Sequence, residues 1–345
     1  MTFHNLKWNS QFRSTNFPEQ LLSTYRSIEI GGAHSFSSEV LIKFLQEHAD
    51  LEEFRASPAP MLDEDIITAI GSLENLRHLA LGHSFNTELQ FDQLSNLTQL
   101  ETLRLHDVFG LSEMSLRLIL SRAQNLQQIS VTNCKNILDY TALGCCGRLH
   151  SLEIRNTTQL GNEDLFTLCT YGNLKRLTIT NCFNVSTRGV NIALMRCQLK
   201  ELTINKCGLV TDGSRWRQHS ANSKRSQSRN VHPSQALIAN KLNNCSIFNG
   251  KRIPGSKGVS ALAWLRNVHL LREVDVSRNR NVDDTVVRNL HTALVTSAKR
   301  RSPEPLHTKT EVKEKPRKKL IMYIFDTSIS REVEQEVKDW ITLCL

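Results

Sequence analysis

The 345-residue chain has no apolar run approaching the roughly eighteen residues that a membrane-spanning helix needs. Its first residues, MTFHNLKWNSQFRS, lack the apolar stretch of a secretion signal. Also missing are G-x-x-x-x-G-K-[ST], G-x-S-x-G, H-E-x-x-H and C-x-x-C, the short patterns that cradle phosphate, raise a serine nucleophile or hold zinc. The 12 histidines are scattered, with no repeated ligand spacing. Cys145 and Cys146 adjoin each other, are poorly placed to grip one ion together, and read as core thiols. These absences argue against an enzyme and give no reason to expect a cofactor or a metal. Nine cysteines in a chain without an export signal are expected to be reduced thiols of a cytoplasmic or nuclear protein.

The chain does have net positive charge, +9, but it is unevenly placed. Residues 214–258 carry nine Lys and Arg and no acid; residues 297–319 carry nine against three glutamates. These segments hold +9 and +6, so the remainder is at −6. A basic body gripping phosphates is therefore not indicated. Apart from Trp216 and Trp264 the basic stretches have no interleaved aromatics on which bases would stack, which argues against nucleic acid.

The strongest positive signal is a repeat. Aligned on L-x-x-L-x-L, the first position falls at Tyr25, Leu51, Leu76, Leu100, Leu126, Leu149, Leu174 and Leu199, then at Leu271 and Leu320. Steps between the first eight are 26, 25, 24, 26, 23, 25 and 25. This period and filler are those of leucine-rich repeats. Each unit opens with a short strand whose alternate residues point inward. The ninth position, inside the turn that follows, takes a small residue: Cys134, Cys182, Cys207 or Asn279, with Ser84, Thr157 and Ser328 as substitutes. Helices are predicted over 63–73, 112–123, 162–171, 186–197 and 330–343, with Asp63, Ser112, Asn162, Ser186 and Ser330 as their N-caps. The fold class expected is an α/β solenoid with a curved parallel sheet on the concave face and helices on the convex face.

The resulting division is a cap over 1–24, repeats over 25–213, a basic, largely disordered insertion over 214–258, a repeat over 259–296, a basic disordered loop over 297–319, and a last repeat with its cap over 320–345. Within the insertion, residues 237–248 place Leu237, Leu242 and Cys245 at positions one, six and nine and read either as a degenerate repeat or as more of the insertion. Lys299, Arg300 and Arg301 with Arg317, Lys318 and Lys319 match the two halves of a bipartite nuclear-import signal, or else form a solvated loop.

On the strands, positions three, five and seven face solvent on the concave side. Any soluble solenoid is polar there. Even so, Arg55, His78, Arg104, His106, Arg155 and Arg176 fall on neighbouring rungs about 5 Å apart, a strip suited to an acidic or phosphorylated peptide.

The pattern L-x-x-L-x-L-x-x-C followed by a helix start, seen in LKELTINKCGLVTDGS (199–214) and more loosely in LKRLTITNCFNVSTRGV and LREVDVSRNRNVDDTVV, resembles the cysteine-containing leucine-rich repeats of F-box proteins. The resemblance covers roughly residues 25–213 and 259–345. It implies a non-catalytic substrate-recognition subunit of an SCF-type ubiquitin ligase, docked through an F-box on the adaptor of a cullin–RING ligase. FPEQLL (17–22) is similar to an F-box opening, but the first strand, SIEI, is read from Ser27, leaving no room for the remaining F-box helices. Residues 1–24 are expected instead to seal the first repeat, in a chain that lacks an F-box or comes from an incomplete gene model. The alternative is a free-standing leucine-rich-repeat scaffold or inhibitor with no link to a ligase.

Overall fold

The computed structural model describes residues 4–8, 25–31, 38–57, 62–171, 173–207, 268–280, 282–301 and 319–345. Twelve strands form one sheet in strict chain order. They are β1 (His4–Trp8), β2 (Tyr25–Ile30), β3 (Glu53–Ala56), β4 (His78–Ser84), β5 (Thr102–Val108), β6 (Gln128–Thr132), β7 (Ser151–Arg155), β8 (Arg176–Thr180), β9 (Glu201–Asn205), β10 (Glu273–Asp275), β11 (Leu320–Tyr323) and β12 (Ile341–Cys344). Every neighbouring pair is parallel. The helices are α1 (Ser38–Glu47), α2 (Glu64–Gly71), α3 (Glu113–Arg122), α4 (Asn162–Leu168), α5 (Thr187–Arg196), α6 (Asp284–Arg301) and α7 (Arg331–Val337). The chain is a leucine-rich-repeat solenoid. Strands stack about 4.8 Å apart while packed helices need about 8–10 Å, so the stack bends with the sheet on its inner side.

The core runs between the layers. Positions four and six of each unit are its spine: Leu79 and Leu81, Leu103 and Leu105, Ile129 and Val131, Leu152 and Ile154, Leu177 and Ile179, Leu202 and Ile204 are all buried. Burying one such side chain contributes about 1.5–3 kcal/mol, and each unit hides its own only against its neighbours.

The ninth-position residues close the turns in one common geometry. The Cys134 thiol lies 3.6 Å from the Thr132 carbonyl and 3.9 Å from that of Leu105 on the preceding strand. Cys182 repeats this with Thr180 and Ile154, and Cys207 with Asn205 and Ile179. Asn279 does more: Nδ2 reaches the carbonyls of Ile204, Val276 and Ser277, and Oδ1 accepts the Cys207 N–H at 2.9 Å. It thereby ties the unit at Leu271 to the unit at Leu199, whose strands β10 and β9 are direct neighbours with no rung between them. Residues 208–267, including 237–248, lie outside the described residues. Burial pushes the thiols of Cys134 and Cys207 up to about 12 and that of Cys182 to about 11, which leaves them neutral packing groups rather than nucleophiles.

Several expectations are corrected. Ile321 pairs with Glu273, the third residue of its unit, so the last full unit begins at Lys319 rather than Leu320, and its ninth residue is Thr327 rather than Ser328. The helix expected over 330–343 stops at Val337, and ITLC continues as β12 beside β11, where the β-branched Ile341 and Thr342 suit an open sheet edge. Helix α6 runs on to Arg301, so residues 297–301, with Lys299 and Arg300, close a helix instead of opening a loop; Arg317 and Lys318 lie outside the described residues. At the other end, β1 pairs with β2, so the sheet starts before the first strand read from the sequence. Asn162 is not an N-cap. Gly161 holds that place, with Asp164 accepting its N–H at 2.7 Å, while the side-chain Oδ1 of Asn162 accepts the N–H of Ser186 in the next unit.

Candidate partner-binding face

Strand pairing sorts the solvent-facing residues of the sheet into three rows. Position three gives Glu53, His78, Thr102, Gln128, Ser151 and Arg176. Position five gives Arg55, Ala80, Arg104, Ser130, Glu153 and Thr178, and position seven runs Gly82, His106, Thr132, Arg155 and Thr180. The six basic candidates therefore share one face but not one line: Arg55 and Arg104 are two rungs apart in a row, roughly 10 Å, whereas Arg176 stands in another row three strands beyond Arg104.

Their electrostatic situations also differ. Arg55 is ion-paired with Glu53 on its own strand, and Arg155 with Glu153. Burial works to raise the pKa of Glu53, but the Ser27 hydroxyl and the Arg55 guanidinium outweigh it and hold the carboxyl below its ordinary value. Arg104 and Arg176 are exposed, and among the described residues no carboxylate lies within ion-pair distance of either. Arg55, His78 and Arg104 line one open depression of about 310 Å³, with Glu53, Thr102 and Gln128 completing its walls. An anionic group entering it meets one unpaired guanidinium and a second that it must share with Glu53. Such a depression offers an anionic group charge-assisted hydrogen bonds.

His106 belongs to a different group, which local sequence spacing hides. From the unit at Leu76 onward, position eight takes the left-handed backbone among the described residues, at His83, Asp107, Asn133, Asn156, Asn181, Lys206, Arg278 and Asp326. Asn, Asp and His tolerate that conformation better than most residues. Neighbouring units therefore bring such side chains together. Nδ1 of His83 is 3.0 Å and Nε2 of His106 is 3.3 Å from Oδ2 of Asp107, whose other oxygen accepts from Asn133 Nδ2. The signal in the sequence was the period itself: His83 and Asp107 are one unit apart.

No known family profile matches the chain. A curated protein of Trypanosoma equiperdum, provisionally described as an adenylate cyclase regulatory protein, is 28% identical over 141 residues, 41% of this chain. The match spans 22% of that protein's length. Among solved structures, the internalin InlF of Listeria monocytogenes is 16% identical with a TM-score of 0.41, over 93% of this chain and 79% of its own. A chain of the yeast Rad7–Elc1 complex structure gives 15% identity and a TM-score of 0.41 over 93% of this chain and 79% of its own. These are likenesses of repeat architecture and bear on nothing more specific. Among the described residues no helix is long and apolar enough to cross a membrane.

Proposed function

We propose that this chain is a non-catalytic protein-interaction module that takes an acidic or phosphorylated peptide on the sheet face around Arg104. The carrying observation is that Arg104 is exposed without a carboxylate partner among the described residues, in a depression it shares with Arg55 and His78. Arg176 extends the same field three strands along. The narrower reading is a substrate-recognition subunit of an SCF-type ubiquitin ligase, or a diverged relative, working in the cytoplasm, the nucleus or both. It is supported by the cysteine-bearing repeats and their resemblance to those of F-box proteins. The second reading is a free-standing scaffold or inhibitor with no link to a ligase.

Affinity purification with mass spectrometry tests both readings at once. Wild-type chain is expected to capture a partner that the double charge reversal Arg104→Glu, Arg176→Glu loses; equal capture by the two proteins rejects the concave site. Cullin and its adaptor among the captured proteins support the ligase reading. Their absence, under conditions where an F-box protein retains them, leaves the scaffold.

A further inference from the structure

We propose that His83, His106 and Asp107 form a binding site for a divalent transition-metal ion, zinc by ligand preference, on the rim of the sheet where β4 and β5 end. One nitrogen from each imidazole and one carboxylate oxygen lie within 4.8 Å of one another. The two His–Asp separations, 3.0 and 3.3 Å, are close to the edge of a zinc-centred tetrahedron, about 3.3 Å for ligands about 2.0–2.1 Å from the ion. The two imidazole nitrogens lie within 4.8 Å of each other, on rings whose centroids are 4.7 Å apart, and this third edge is the one that has to adjust when an ion binds.

The donor set selects the ion. Two imidazoles and a carboxylate suit zinc, nickel or copper, whereas calcium and magnesium take oxygen ligands. The carboxylate is oriented from behind, because Asn133 on the next unit donates to the oxygen that faces away from the histidines. Asp107 is mostly covered, with its side chain 14% exposed, while His83 and His106 are 37% and 53% exposed. An ion here has three protein ligands on one side and an open fourth position toward solvent. The site stands apart from the Arg104 depression and does not depend on how that depression is used.

The test is titration of the reduced full-length chain, stripped of metal by chelator, with cobalt(II) and then zinc. One equivalent of cobalt is expected to bind with the visible bands of a four-coordinate nitrogen–oxygen site, without the thiolate charge-transfer absorption that cysteine ligation gives. His83→Asn, which keeps a residue tolerant of the left-handed backbone, and His106→Gln are each expected to abolish that signal. Asn133→Gly, which keeps the backbone and removes only the amide behind the carboxylate, is expected to weaken binding about 10–100-fold. Circular dichroism of the metal-free variants, unchanged from wild type, shows that folding is intact. No bound equivalent, a thiolate spectrum, or binding indifferent to His83→Asn and His106→Gln overturns the proposal.

Discussion

At the scale of single residues, the repeat is held by groups that fit one slot, and the slot explains the recurrence of cysteine. A thiol at position nine is small enough for the inside of the turn and points at two carbonyls there, as Cys134, Cys182 and Cys207 all do. Asn279 fills the same slot with stronger hydrogen bonds. One buried residue is held against its own charge. Burial drives Asp164 up to about 6 despite the N–H it accepts from Gly161. The folded state therefore holds a proton that the unfolded state releases near pH 4, and stability from this group is present below about pH 4 and lost as pH rises to about 6. The size of the effect is about 3 kcal/mol. Denaturant unfolding of Asp164→Asn beside wild type checks it: the difference between them should shift by about 2 kcal/mol from pH 4 to 7, the rest of the effect falling below pH 4, and parallel pH profiles would count against it. The slot was legible in the sequence because its occupants recur at the period. The capping arrangement was not, since Asn162 has the right chemistry for an N-cap and only the backbone shows that Gly161 takes the place.

At the scale of elements, the length of a unit decides what covers its convex side. The units beginning at Leu76 and Leu126 are the shortest of the first seven, at 24 and 23 residues, and they are the ones whose strand is followed by a short 3₁₀ turn, Asp92–Asn96 and Thr141–Cys145, instead of an α-helix. The 3₁₀ turn brings its neighbours close. A Cβ on Gly71, in helix α2, would come within 2.5 Å of the Gln93 backbone carbonyl of the following turn. Gly71→Ala is accordingly expected to destabilise the chain by about 1–3 kcal/mol, although alanine is the better helix former by about 1 kcal/mol. An unchanged or raised melting temperature would show that the two layers have room to part. The strand–helix alternation was readable from periodicity. The frame of the last unit was not: the basic stretch before it offers no leucine at position one, so Leu320 was the natural anchor, and only the pairing of Ile321 with Glu273 moves the start to Lys319. The strand β12 was concealed in the same way, by acidic residues of α7 that continue a helical pattern up to it.

At the scale of the whole molecule, twelve parallel strands in chain order make one continuous sheet, and its solvent face is what this architecture offers a partner. The sequence located the basic residues on that face but could not weigh them. Glu53 and Glu153, which neutralise Arg55 and Arg155, sit two residues away on the same strands and look like ordinary solvated positions until the side chains are seen paired. Of the four arginines proposed for that face, Arg104 and Arg176 are the two without a carboxylate partner among the described residues, and with the body of the chain otherwise acidic this is a local feature, not a general field. The proposed function therefore turns on where a partner touches the solenoid. The most direct measurement is the affinity of the captured partner, in purified form, for Arg104→Glu compared with Arg122→Glu, an equal charge reversal on the exposed last turn of helix α3 at the opposite face. The first substitution is expected to weaken binding at least about tenfold, about 1.4 kcal/mol, and the second to leave it unchanged. Loss at Arg122 with full affinity at Arg104 would place the partner on the helices and contradict the account.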